Sequence, residues 1–254
     1  MNTLFSLEGK RILLTGSAQG IGFVMAHGLA QQGAEIIING TNAERAENAV
    51  MKLRDEGFTA HIALFDVADA HAVEQAIAQI EDNIGPIDVL FNNAGIQRRY
   101  PFTEFPLSEW NDIIATNQTG VFVVSQCVAK RMVARKEGKI VNICSMQSEL
   151  GRDTITPYAA AKGAVKMLTR GMCVELARHN IQVNGIAPGY FETPMTQALV
   201  DNHEFTEWLC KRTPAARWGN PEELVGAAVF LSSKASDFVN GHLLFVDGGM
   251  LAAV

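Results

Sequence analysis

The chain has 254 residues, 48% of them hydrophobic and 19% charged, with a formal net charge of −6. That length suits one large α/β domain over residues 1–254, and the acidic balance argues against nucleic acid, which selects a basic face. An anionic ligand gains no long-range steering from this charge and needs a local cluster of cations instead.

Arg11–Thr15 reads as a first strand, and the segment Thr15-Gly16-Ser17-Ala18-Gln19-Gly20-Ile21-Gly22 leads from it into a helix over Gly20–Gln32. Gly33 fits the left-handed stop after that helix. Glu35–Asn39, with three consecutive isoleucines, reads as a second strand covered on both faces. A helix through Ala43–Glu56 leads to a third strand near Thr59–Phe65, a helix over Asp69–Ile84 and a fourth strand at Ile87–Phe91. Helical character dominates from Leu107 to Lys136, and Lys139–Cys144 is a fifth strand. Pro157–His179 is a helix with proline in its first turn, and Ile181–Ile186 a sixth strand. Asn220-Pro221-Glu222-Glu223 reads as a cap, a first-turn proline and dipole-favourable acids, opening a helix to about Ser232. Leu243–Val246 closes the series as a last strand.

Regular strand–helix alternation predicts an α/β fold, a single Rossmann-type doubly wound parallel sheet of about seven strands with helices on both faces. Ligands of such sheets sit beyond the carboxyl ends of the strands. The glycine turn after the first strand suits a dinucleotide pyrophosphate, because close backbone N–H groups and a helix N-terminus favour anionic oxygens. Cys127, Cys144, Cys173 and Cys210 form no CxxC pair, so reduced thiols are expected rather than disulfides or a metal site. Met1–Phe5 is followed at once by Glu8, Lys10 and Arg11, unlike a secretory signal, and no apolar run approaches a membrane span. A cytoplasmic location with no membrane partner is the expectation.

Tyr158 and Lys162, four residues apart, lie on one face of their helix. A free tyrosine has a pKa of about 10, so a phenol working near neutrality needs a neighbouring positive charge, here the lysine and an oxidised nicotinamide. After the second strand come Gly40-Thr41-Asn42 with Arg45 nearby, and no acid that would repel a 2′-phosphate. NADP(H) is therefore favoured, with NAD(H) use possible, although Arg45 has the alternative of pairing with Glu44 or Glu47 on an exposed helix. Arg98 and Arg99, beside the expected cleft, suit a carboxylate, since guanidinium matches that group geometrically. Gln147, Glu149, Arg152, Tyr190 and Glu192 are further polar candidates for a polyhydroxylated chain, against plain turn and surface roles.

The joint order of Thr15-Gly16-x-x-x-Gly20-x-Gly22, Asn92-Asn93-Ala94-Gly95, Asn117, Ser145, Tyr158-x-x-x-Lys162, Pro188-Gly189 and Asp247-Gly248-Gly249 resembles the short-chain dehydrogenase/reductase family over nearly the whole chain. The resemblance implies that Tyr158 is the acid/base and that Lys162 tunes it and bonds the nicotinamide ribose. Ser145 donates to the substrate oxygen, and Asn117 holds a water that replenishes the proton. It assigns Gly16, Ser17, Gln19, Gly20, Ile21, Gly22, Asn93, Ala94 and Gly95 to the pyrophosphate and ribose region. Asp66-Val67 falls to the adenine pocket, and Pro188, Gly189 and Thr193 to the nicotinamide. The implied reaction is hydride transfer between NADPH and a ketone, with a sugar acid favoured by the polar loops. The resemblance also implies a homotetramer packed through the helices holding Asn117 and Tyr158, with Gly248–Val254 in a second interface. A ketoacyl reductase and a dinucleotide sensor without turnover are the competing readings. The segment Tyr190–Asp201 follows the sixth strand, where lids commonly close over bound ligand.

Overall fold

The computed structural model describes residues 4–253; the calls on Met1–Thr3 and Val254 lie outside them. Seven strands form one parallel sheet in the order β3-β2-β1-β4-β5-β6-β7. They are β1 Arg11–Leu14, β2 Glu35–Gly40, β3 Ala60–Leu64, β4 Val89–Asn92, β5 Gly138–Ile143, β6 Ile181–Pro188 and β7 Leu243–Val246. The helices are α1 Gly20–Gln31, α2 Ala43–Asp55, α3 Ala70–Asn83, α4 Leu107–Ile114, α5 Gly120–Arg135, α6 Thr156–Leu176, α7 Gln197–Val200, α8 His203–Arg212 and α9 Val225–Ser232.

The continuous apolar runs of the strands serve two cores at once, because successive side chains point to opposite faces. Ile12, Leu14, Ile36, Ile38, Val89, Phe91, Val141 and Ile143 face the layer of α1, α2 and α9. Leu13, Ile37, Leu90 and Ile140 face the opposite layer, with α3 and α5. Register carries this alternation across the sheet: Leu13 lies beside Ile37 and Leu90, and Leu90 beside Ile140.

Several details depart from the expected elements. The sixth strand runs two residues further than expected, to Pro188, which pairs with Val246 of β7. The helical stretch from Leu107 to Lys136 contains a π-turn at Ala115–Thr119, between α4 and α5. The stretch between β6 and α9 holds α8, capped by Asn202 accepting from the Phe205 N–H. Helix α9 is preceded by a tighter turn, Pro221–Leu224, in which Asn220 and Glu223 form the reciprocal cap that their spacing predicts.

Candidate active site

A cleft of about 500 Å³ opens at the carboxyl ends of the strands. Its first wall is the turn between β1 and α1. Gly16 has φ +61°, and a Cβ there would stand 2.8 Å from Ala94 Cα, so only glycine brings the two backbones this close. Thr15 Oγ1 accepts from the N–H groups of Asn93 and Ala94, while Asn93 Nδ2 donates to the carbonyls of Thr15 and Gly16. The Asn93 amide thus locks the turn from below. Gln19 caps α1 without a side-chain hydrogen bond, and a Cβ at Gly20 would meet nothing within 4 Å. That leaves free space in front of a helix N-terminus, which fits a pyrophosphate.

Gly16, Gln19, Gly20, Ile21, Gly22, Asn93, Ala94 and Gly95 all line the cleft, but Ser17 does not. Ser17 is a correction: it is fully buried, with its hydroxyl donating to the Leu14 carbonyl and its N–H to the Asn39 carbonyl. Its donors close the turn, and none is left for a ligand.

Gly40, Thr41, Asn42, Arg45, Asp66 and Val67 line the far end. Arg45 is exposed, and no ion pair to Glu44 or Glu47 forms among the described residues, so its charge faces the cleft uncompensated. Asn39, just before Gly40, is buried with its whole side-chain amide engaged. Its Oδ1 accepts from Gly16 N–H and its Nδ2 donates to the carbonyls of Ala63 and Phe65. Asp66 Oδ1 accepts from Ala68 N–H, which sets the turn after β3.

At the other end, Ser145, Tyr158, Lys162, Pro188, Gly189 and Thr193 come together. Tyr158 and Lys162 occupy the first turns of α6, one helical turn apart. Lys162 is buried, and its Nζ donates to the Ile143 carbonyl at 2.6 Å and stands 5.7 Å from the Tyr158 ring centroid. Burial lowers the Lys162 pKa. Burial pushes Tyr158 up to about 12, and the opposing influences are a hydrogen bond with Ser145 and the charge of Arg99. The Ser145 hydroxyl donates to Gln147 Oε1 at 2.6 Å.

Asn117 does not face the cleft; its neighbour Thr116 does. The Asn117 amide is fully buried in the π-turn, accepting from Ile96 N–H and donating to the Ile96 carbonyl, both at 2.8 Å. Its side chain pins the segment after β4 through these two bonds and so positions the wall that Ile96 gives the cleft. The π-turn is the local distortion that turns it inward.

Arg99, Gln147, Arg152 and Tyr190 line the cleft beside Ser145 and Tyr158; Arg98 does not. Arg98 is corrected to a surface role, since its guanidinium pairs with Glu109 at 2.9 Å on the outside of α4. Glu149 pairs with Lys166, and Glu192 lies on a separate shallow groove with Trp218 and Asn220. Arg99 and Arg152 have no acidic partner among the described residues. Partial desolvation, then the neighbouring Arg152, lower the Arg99 pKa. Phe205, not among the residues expected at the site, turns its ring toward the Arg152 guanidinium. The Asn202 cap followed by Phe205 and Leu209 at helical spacing is the signal that marks it.

The sequence profile of the family described as short chain dehydrogenase matches residues 10–204. The chain is 74% identical, over all of both sequences, to 5-keto-D-gluconate 5-reductase of Escherichia coli strain K12. It is 49% identical to 2-dehydro-3-deoxy-D-gluconate 5-dehydrogenase of Formosa agariphila, over 99% of this chain and 96% of that one. A crystal structure of a gluconate 5-dehydrogenase from Burkholderia cenocepacia, in complex with NADP and tartrate, superposes with a TM-score of 0.97. Its identity is 57%, covering 99% of each chain.

Proposed function

This chain belongs to the short-chain dehydrogenase family, and from that premise we propose that it reversibly reduces 5-keto-D-gluconate to D-gluconate with NADPH. The observation that carries the reading is the pair of unneutralised guanidiniums, Arg99 and Arg152, on the same wall as Ser145 and Tyr158. Two like charges held close together are relieved by one carboxylate, so a ketone with a carboxylate a few bonds away fits both ends. Close identity to enzymes whose names specify this chemistry supports the same substrate.

NADPH, when bound, supplies the hydride. Gly16, Gln19, Gly20, Ile21 and Gly22, with Ala94 and Gly95, would hold its pyrophosphate, and Asp66 with Val67 would border the adenine. Thr41, Asn42 and Arg45 would receive the 2′-phosphate, while Pro188, Gly189 and Thr193 would flank the nicotinamide. Ser145 turns its hydroxyl from Gln147 to the C5 oxygen and so favours the developing negative charge there. Tyr158, protonated at neutral pH, gives its proton to that oxygen as the carbonyl becomes an alcohol, and regains one from solvent. Oxidation runs the same transfers backwards. Lys162 bonds the ribose, and Asn117 keeps the wall of Ile96 in place.

The reading extends to a single domain over the whole chain, a cytoplasmic setting and a homotetramer. Phe122 on α5 and both Met167 and Val174 on α6 expose apolar surface that supports packing between copies. A second substrate reading, 2-dehydro-3-deoxy-D-gluconate, is supported by the 49% identical relative. Purified protein assayed with both sugar acids against NADPH and NADH separates the two. Faster turnover of the 3-deoxy acid, or of NADH, would replace the corresponding part of the proposal.

A further inference from the structure

Arg152 lies in the segment between Ser145 and α6, and its guanidinium is held by aromatic rings where a salt bridge would ordinarily hold it. Its Cζ stands 4.6 Å from the Phe205 ring centroid and 5.6 Å from that of Tyr190. One N–H donates to the Tyr190 hydroxyl at 3.1 Å. Phe205 is fixed in turn, since its N–H is capped by Asn202 and its ring packs 5.2 Å from Trp208, 5.5 Å from Tyr190 and 6.0 Å from Trp218. Arg152 and Tyr190 line the cleft, whereas Phe205 stands behind them on α8.

The chemistry of that support matters. An acidic neighbour would order Arg152 but also neutralise it and compete with an incoming carboxylate. A ring face attracts the cation through its quadrupole while leaving the planar N–H fork and the charge available. It therefore orders a long side chain before the ligand arrives. We propose that Phe205 is a positioning residue that holds Arg152 for the substrate carboxylate, so that α8 sets the preference for carboxylate-bearing ketoses over neutral ones. This rests on the reading of Arg152 given under Proposed function.

The test replaces Phe205 with leucine and, separately, with mono-, di- and trifluorophenylalanine, which keep the ring's shape while draining its negative face. KM and kcat are measured for 5-keto-D-gluconate, together with the NADPH Kd. The neutral ketose carrying a hydroxymethyl group in place of the carboxylate is measured as substrate or competitive inhibitor. Phe205→Leu should raise KM for the acid about tenfold, as a desolvated cation–π contact implies, with kcat, NADPH Kd and the neutral ketose changed less than about twofold. KM should climb stepwise through the fluorinated series, a response that depends on the ring's charge distribution and survives even if the leucine variant folds poorly. A flat fluorinated series, or an equal loss for the neutral ketose, overturns the positioning role. Arg152→Ala separates the layers. If it leaves KM for the acid unchanged, the carboxylate reading itself falls; if it raises KM while the fluorinated series stays flat, only the role of Phe205 falls.

Discussion

At neutral pH a phenol pushed up to about 12 keeps its proton, so Tyr158 is ready to act as an acid but must lose that proton before it can act as a base. Reduction should therefore stay nearly flat between about pH 6 and 9, while oxidation climbs by up to about tenfold per unit until the bound oxidised cofactor brings the phenol's titration into range. Initial rates in both directions over that range check this, and a reduction rate that rises with pH would contradict it. Tyr158→Phe removes only the hydroxyl and should cut reduction by about 10²–10⁴ with NADPH affinity retained, read by single-turnover kinetics and cofactor fluorescence. At the far end of the cleft, a Cβ at Gly40 meets only Ala18 Cβ, at an ordinary 3.4 Å. Gly40→Asp should thus fold normally and move the NADPH/NADH ratio of kcat/KM toward NADH by about tenfold or more, through repulsion of the 2′-phosphate and bonding of the free ribose hydroxyls. The residues legible from sequence were those whose spacing is itself chemistry: Gly16 and Gly20, Tyr158 and Lys162. Arg98 and Arg99 could not be told apart, because adjacent side chains in an extended segment point to opposite sides and only Glu109 reveals which one faces outward. Ser17 was misread because its neighbours line the cleft while its own donors are used inside the turn.

Among elements, one tight junction is that between α1 and the segment after β4. A Cβ at Gly22 would lie 2.5 Å from Asn93 Nδ2 and 2.8 Å from the Gly16 carbonyl, with backbone on one side. Gly22→Ala should cost about 1–3 kcal/mol by overpacking, seen as a melting temperature lower by roughly 2–4 °C per kcal/mol, with a weaker NADPH Kd. An unchanged melt would show that the junction yields more easily than its contacts imply. The segment between β6 and α8 holds little internal structure beyond the hydroxyl bonds of Thr193 with Thr196 and the single turn of α7, yet Thr193, Met195 and Leu199 border the cleft. Amide exchange across 190–201 should slow when NADP and the sugar acid are both present; no change would end the idea of a closing lid. Helices with strong apolar periodicity were readable to within a residue or two. Helix α8 was not, since its buried side is only Leu209, while Trp208 is exposed and Phe205 turns toward Arg152. The π-turn was invisible for a similar reason: it depends on where Ile96, a residue 21 positions away, presents its backbone to Asn117.

For the molecule as a whole, alternation of strands and helices was enough to foresee a parallel sheet, but strand order comes from long-range packing that no local pattern encodes. Oligomeric state belongs to this scale too. Val174 is 81% exposed and Met167 59% on the same helix that holds Tyr158, so a charge there should be felt by assembly before it is felt by the fold. Sedimentation should give about four times the 27.6 kDa chain mass, and Val174→Glu should shift the population toward smaller species with the far-ultraviolet spectrum intact. A parent chain that sediments at one mass unit would exclude the tetramer. One side chain links this scale back to coenzyme choice. Asn39 joins the β1 turn, its own strand and the end of β3 through three hydrogen bonds, two of which need a donor that aspartate lacks. Installing an acid there would orphan the carbonyls of Ala63 and Phe65, at about 1–3 kcal/mol, and weaken the tie to the end of β3. A lineage or an engineer exchanging one coenzyme for the other must therefore leave that asparagine alone and work through the unencumbered position that follows it.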